Sequence, residues 1–260
     1  MRLLLPLLFC FSCVAAKAVA GPEVVDFFID NAGKKYYLLA NDNFVTDNPL
    51  GQNQFEFYDS SLGAPGCVDV TDPFAILLFY PEYGTAVVLD RTLSELSRID
   101  LFAQENIRQP EALARASDQG TWVFDLWDYR LKLLAPQGGL RLESNDLRLE
   151  LKSSTTPTAV YVDRGTVLLH YDEEQKLAVF TNYGRFVRWV NLPAAEHFGW
   201  QPPYLTGNSD NGYWTYKAGN KEAGPQVPSK LKGKVIASPQ AAYYLDGEGI
   251  VQTQVLEARN

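Results

Sequence analysis

An aspartate recurs along this chain at nearly even spacing. Asp30, Asp72, Asp118, Asp163 and Asp210 lie 42, 46, 45 and 47 residues apart. Their surroundings recur as well: "ASDQGTWVFD" at 116–125 returns as "YVDRGTVLLH" at 161–170 and "GNSDNGYWTYK" at 207–217. A short apolar run precedes each Asp ("VVDFFI", "CVDV", "ALARAS", "TAVYV", "PPYLTG") and a second follows ("KYYLLA", "AILLFY", "TWVFD", "TVLLHY", "YWTYK"). Further turn residues lead to third and fourth runs, such as "TAVVLD" and "SRIDL", or "KLAVFT" and "FVRWVNL". Runs of this length, rich in β-branched and aromatic residues and punctuated by Gly, Asp and Asn, read as strands joined by tight turns.

Four antiparallel strands in a unit of about 45 residues is the pattern of a propeller blade, which buries its faces only by stacking on its neighbours. The expected fold is therefore all-β, a single β-propeller domain over residues 21–260 with five blades of four antiparallel strands. A six-bladed ring is the alternative. A β-sandwich fits poorly, because one four-strand unit repeats. The aromatic content of 13% agrees with a strand-rich chain. Within a unit the Asp carboxylate can accept a hydrogen bond from the backbone two residues on, and the Gly takes positive φ freely. All five aspartates are thus expected to turn the first strand of a blade into the second, with Pro73 presetting φ in the second copy. The late stretch "KAGNKEAGPQVPSKLKGK" reads as a long surface loop. The final "AAYYLDGEGIVQTQVLEA" reads as a hairpin that completes the last blade or pairs with the N-terminal strand. "AQENIRQPEALARAS" could form one helical turn between blades, interrupted at Pro110.

The first residues, "MRLLLPLLFCFSCVAAKAVA", read as an export signal: Arg2, an apolar stretch over Leu3–Val14, and small residues Ala18-Val19-Ala20 at a cleavage site. The apolar stretch is too short to span a bilayer. Ser12-Cys13 offers lipidation at Cys13 as the alternative to simple cleavage. Residues 1–20 form the signal peptide in this reading, and the body is expected in the periplasm or on the periplasmic side of the outer membrane. Only Cys67 then remains, so no internal disulfide forms, and a buried apolar role suits it best. The formal charge of −8 becomes more negative when Arg2 and Lys17 leave. An acidic body with no basic stripe argues against nucleic acid as a partner.

Two stretches, "CVDVTDPFAILLFYPEYGTAVVLDRTLSELSRIDL" (Cys67–Leu101) and "GTWVFDLWDYRLKLLAPQGGL" (Gly120–Leu140), resemble an exported β-propeller family common in Bacteroidetes bacteria. The similarity runs from about Tyr58 to Leu192. Asp72 stands where relatives tend to carry Asn, and either residue suits a turn. The resemblance implies a single envelope propeller and supplies no catalytic residues. Some small propellers of this kind look like accessory subunits of outer-membrane transport machines.

Chemistry is sparse. The two histidines, His170 and His197, have no close-spaced partner, so neither a metal site, a cofactor site nor a catalytic triad is expected. His170 should be a packed strand residue. No nucleophile elbow or phosphate loop is present. The sharpest enzymatic alternative is glycoside binding or hydrolysis, which needs two carboxylates facing one cavity. Asp26 and Asp69 could supply them, although Arg115 and Val160 hold the comparable places in later copies.

A binding face is the stronger expectation. Alternate turns of a blade fall on opposite faces of the disc. The turns between second and third strands, with the links between blades, gather Tyr80, Glu82, Tyr83, Trp127, Asp128, Tyr129, Glu173, His197 and Trp200 on one side. Rigid aromatics beside charges have the composition of protein-binding hot spots. The sequence therefore points to a non-catalytic, monomeric scaffold that binds a protein partner in the envelope, an outer-membrane protein being one option.

Overall fold

The computed structural model describes residues 23–46 and 55–256. The proposed signal peptide, with Cys10 and Cys13, lies outside the described residues.

Six sheets follow one another along the chain, each built from consecutive strands. Blade 1 comprises β1 (Val24–Ile29), β2 (Lys35–Leu39), β3 (Phe44–Thr46) and β4 (Glu56–Phe57). Blade 2 comprises β5 (Cys67–Asp69), β6 (Ile76–Tyr80), β7 (Thr85–Leu89) and β8 (Glu95–Asp100). Blade 3 comprises β9 (Pro110–Arg115), β10 (Thr121–Asp125), β11 (Arg130–Leu134) and β12 (Leu140–Glu143). Blade 4 comprises β13 (Ala159–Asp163), β14 (Thr166–Tyr171), β15 (Lys176–Thr181) and β16 (Phe186–Asn191). Blade 5 has three strands, β17 (His197–Gln201), β18 (Tyr204–Ser209) and β19 (Gly212–Lys217). Blade 6 also has three, β20 (Val235–Ala237), β21 (Ala241–Leu245) and β22 (Val251–Val255). Every pairing within a blade is antiparallel.

The fold is a β-propeller, and it has six blades where the repeat suggested five. The discrepancy arises in the last third of the chain. The fifth aspartate does not occupy the position of the other four: Asp210 lies between β18 and β19, the second and third strands of blade 5. The innermost strand of blade 5, β17, precedes "PPYLTG", whose residues from Tyr204 on belong to the second strand instead of the first. The C-terminal hairpin forms its own blade. Two blades of three strands are shorter than the four-strand unit, so one more fits than division by a constant length allows.

The long loop after β19 runs along the outer edge of that strand. Val227 and Tyr213 exchange backbone hydrogen bonds at 2.7 and 3.1 Å, and Gly224 N donates to Thr215 O at 2.8 Å. This covers an edge that would otherwise be open to another strand. The helical turn expected near Pro110 is absent, because Pro110 opens β9. One short helix, Arg148–Leu151, lies in the link between blades 3 and 4.

Strand alternation builds the ring. In β6, Ile76, Leu78 and Tyr80 face blade 1 and pack with Tyr36 and Phe44, whereas Leu77 and Phe79 face blade 3 and pack with Leu113 and Val123. Trp122 and Phe124 turn towards blade 4, where they meet Val167, Leu169 and Tyr171. Leu168 points the other way, to Leu205, Trp214 and Tyr216 of blade 5. Tyr213 packs on Val235 and Ala242 of blade 6. Ile236 and Val251 close the circle on Phe27, Ile29 and Tyr37 of blade 1. Each large side chain buried in these seams contributes about 1.5–3 kcal/mol. Among the described residues no strand crosses from blade 6 into blade 1. Closure rests on this packing, on the Lys234–Asp26 ion pair at 2.9 Å and on the bond from Lys35 Nζ to Val251 O at 2.7 Å.

Gly199 marks a close approach on the inner ring. A Cβ at that position would collide with the carbonyl oxygen of Val235 on β20. Only glycine lets β17 and β20 come so near.

Candidate functional site

The aspartate turns differ in how they are made. Asp30 Oδ1 accepts from Ala32 N at 2.8 Å and Lys34 N at 2.9 Å. Asp72 Oδ1 accepts from Phe74 N at 2.9 Å, and Asp118 Oδ1 from Gly120 N at 3.2 Å. Asp163 ends β13 at the turn into β14. Asp210 is exposed on the opposite face, for the reason given above.

That opposite face carries the second-to-third turns and most of the links, and it is where the sequence gathered its candidates. Tyr83 is 49% and Trp127 60% exposed. Glu82, Glu173 and His197, on the turns of the same face, are exposed, and Asp128 is half-buried. Three candidates are corrected. Tyr80 and Tyr129 are buried, Tyr80 in the blade 1–2 seam and Tyr129 edge-on to Phe124 at 5.0 Å in the blade 3–4 seam. Tyr80 ends β6, where the pleat directs its ring inward, whereas Tyr129 takes a left-handed turn conformation (φ 58°) just before β11 and its hydroxyl donates to Thr155 O at 2.9 Å. Trp200 belongs to β17 and reaches the axis, stacking on Tyr161 at 5.0 Å.

Residues that the sequence did not single out extend the exposed apolar surface. Phe102 stands 52% exposed in the link after β8, with its ring over Gly84 of the Tyr83 turn. Tyr58, in the link after blade 1, is 52% exposed, and Leu149, on the short helix, is 83% exposed. Tyr58, Tyr83, Phe102, Trp127 and Leu149 thus form an arc over blades 1 to 4. Phe102 directly follows a run read as a strand, which hid it; a bulky apolar residue just after a fourth strand was the available signal.

The Trp127 turn is held from beneath by a buried charge network. Asp125, wholly buried, accepts from Arg108 N (3.0 Å), Gln109 N (2.9 Å), Trp127 N (3.1 Å) and Lys132 Nζ (2.8 Å). Lys132 also pairs with Asp128 at 2.6 Å and donates to Asn106 O at 2.6 Å. Burial raises the Asp125 pKa, but the Lys132 ammonium and the amides of Gln109 and Arg108 outweigh it and hold the carboxyl below its ordinary value. From above, Arg108 lies 5.6 Å over the indole, and Arg148 donates to the carbonyls of Trp127 (2.8 Å) and Asp128 (3.1 Å). The exposed ring therefore projects from a backbone fixed on both sides.

A second latch lies on blade 4. Glu174 accepts from the hydroxyl of Ser153 and from the amides of Ser154 (3.0 Å) and Thr155 (3.3 Å), and pairs with Lys176 at 3.2 Å. The Ser153 bond is the main reason its carboxyl is pulled down to about 2.

The axis is filled. A cavity of about 200 Å³ remains there, lined among others by Asp26, Cys67, Asp69, Tyr161, Phe198 and Trp200. Asp26 is paired with Lys234, whose Nζ lies 4.1 Å from the Phe28 ring centre. Asp69 accepts from Thr71 N at 2.9 Å and Arg115 N at 2.7 Å. Cys67 donates to Leu113 O at 3.3 Å, and burial pushes its thiol up to about 12. His170 is buried edge-on to Phe198 at 4.3 Å, and burial lowers its pKa to about 4. Among the described residues no group of three His, Cys, Asp or Glu is placed to hold a metal ion, and no helix is long and apolar enough to cross a membrane.

No protein-family model matches the chain, and no curated protein matches it at a significant level. Solved structures do share the fold. Catalytically inactive H270A virginiamycin B lyase from Staphylococcus aureus, with quinupristin, superposes with a TM-score of 0.59 at 9% identity, over 93% of this chain and 87% of the lyase. A chain of the Mitotic Checkpoint Complex gives 0.57 at 10% identity, over 90% and 75%. BamB from Moraxella catarrhalis gives 0.50 at 10% identity, over 88% and 83%. At such identities the likeness speaks for the propeller architecture alone.

Proposed function

We propose that this chain is a non-catalytic scaffold of the bacterial cell envelope that binds a protein partner through the face bearing Tyr83, Phe102 and Trp127. The observation that carries the reading is Trp127, a large ring with most of its surface in solvent on a backbone locked by Asp125, Lys132 and Arg148. A pre-organised aromatic loses little conformational entropy when a partner covers it. One neighbour in fold fits a scaffold: a chain of the Mitotic Checkpoint Complex, an assembly by its name. The N-terminal pattern supports export of the body, and the resemblance described above supports an envelope location.

The enzymatic reading has one observation in its favour, that Asp26 and Asp69 line the same axial cavity. Both carboxylates are engaged, however, one by an ammonium and the other by two backbone amides. A general acid and a nucleophile at this site would first have to be released from those partners.

The test is site-specific photocrosslinking in native envelopes. Benzoylphenylalanine replaces Tyr83 or Trp127, with Tyr183, 67% exposed on the opposite face, as control. Discrete protein adducts from positions 83 and 127 and none from 183 are expected. Adducts from 183 alone, or none from any position together with glycan turnover, would reject the docking face.

A further inference from the structure

The face that carries the first-to-second turns bears a different kind of site. Around the axis it opens into a funnel of about 760 Å³, to which blades 1 to 5 contribute residues. Arg115, the last residue of β9, lies in its lining. This side chain is 6% exposed, yet it has no carboxylate within ion-pair distance among the described residues. Its Nη1 makes one long contact, 3.4 Å to Thr121 Oγ1, and its buried Nε has no acceptor. Asp69, Asp72 and Asp118 act on the guanidinium through space, but none comes within ion-pair distance of it, and the two Asp69 oxygens are turned to the amides of Thr71 and of Arg115 itself. Asp118 is drawn away to Arg141 at 2.6 Å.

A guanidinium stays charged in a protein, and its planar fork matches an oxyanion. Holding it buried with no carboxylate in direct contact and its Nε unsatisfied is costly, and such groups mark places where something else supplies the acceptor. The funnel adds two further cations, Arg164 and Lys217, both exposed, against the carboxylates of Asp72 and Asp163. Its lining is therefore cationic on balance in a chain of formal charge −8. None of these five charged groups is in an ion pair within the described residues.

We infer that the funnel is a binding site for a small oxyanion, a carboxylate or a phosphate, with Arg115 as the buried anchor and Arg164 and Lys217 at the mouth. Asp72 and Asp163 would accept from hydroxyl or ammonium groups elsewhere on the ligand. The site is on the face away from Trp127 and does not depend on the docking reading.

Titration calorimetry of the folded chain at low ionic strength, with inorganic phosphate and separately with citrate, tests the assignment. At least one anion should bind saturably. Arg115→Met should weaken it at least tenfold, and Arg164→Gln, at an exposed position, severalfold. Should Arg115→Met fail to fold, the Nε–Hε resonance of Arg115 in the unaltered protein should move on titration with the same anion. Absence of saturable binding by both anions overturns the proposal. So does undiminished binding by folded Arg115→Met, or an Arg115 resonance that stays fixed while binding proceeds.

Discussion

Replacing Asp125 by Ala would remove the centre of the network beneath the Trp127 turn. Four donors lose their acceptor: three backbone amides and the Lys132 ammonium. The lysine side chain is 3% exposed and cannot turn to water. It keeps Asp128 and the Asn106 carbonyl, so the charge is not fully orphaned. Breaking a buried pair from one side costs about 3–5 kcal/mol. At about 2–4 °C per kcal/mol for a chain of this size, the unfolding midpoint should fall by about 6–20 °C. Lys132→Met is the informative partner, because it removes the cation and leaves Asp125 with its amides. In the double variant the stranded charge is gone, so the combined loss should undershoot the sum of the single losses by about 1–3 kcal/mol. Calorimetry of the four proteins at pH 7 reads the cycle. Additivity within about 0.5 kcal/mol, or Asp125→Ala as stable as the parent, would refute the network. The pH dependence gives an independent check. The folded carboxyl titrates below its ordinary value, so its stabilisation is present above the unfolded value of about 3.9 and is lost as pH falls through the folded one. The stability gap between parent and Asp125→Ala should therefore narrow in acid.

Trp127→Ala should weaken partner capture by about 30-fold or more, the loss of a hot-spot ring, while lowering the midpoint by only about 2–6 °C, since most of the ring is in solvent; affinity measurements and calorimetry separate the two, and intact capture with a larger fall would assign the ring to the core. Gly199→Ala should destabilise by about 2–4 kcal/mol, because the obstructing atom is the Val235 backbone carbonyl and cannot rotate away, and hydrogen exchange should show blades 5 and 6 protected least; an unchanged denaturant midpoint would contradict the close approach. Glu174→Gln should be less stable than the parent at pH 7 and equal to it near pH 2, since a carboxyl lowered from 4.5 to about 2 stabilises above the unfolded value and ceases to do so as it protonates; a difference that persists unchanged at pH 2 would show that the latch is not electrostatic.

The propeller was legible in the sequence because its cause is local. Strand length, alternation and an Asx turn are properties of ten consecutive residues, and Asp30, Asp72 and Asp118 make those turns with their own following backbone amides. The blade number was less legible, because it depends on which turn an Asp occupies. "SDNG" around Asp210 looks like "SDQG" around Asp118, yet one joins second to third strands and the other first to second. The candidate face was legible in outline, since turn order dictates which loops share a side of the disc. Whether a ring on that side points outward was not. Tyr80 and Tyr83 are three residues apart, and Tyr129 is two from Trp127, but turn geometry, a 3-10 turn over Pro81–Tyr83 and a left-handed Tyr129 at φ 58°, leaves one of each pair buried and the other exposed.

Taken by itself, the sequence determined the repeating unit and the side of the disc on which most aromatic turns fall. Only the tertiary structure decided the six-bladed closure, the stacking of Tyr161 on Trp200 beside the axial cavity, the pairing of Asp26 with Lys234 and the unsatisfied, buried Nε of Arg115. The reason is that these features join residues from different blades. Asp26 and Lys234 are separated by almost the whole chain, and their meeting is a consequence of how many modules complete the circle, which no local pattern encodes.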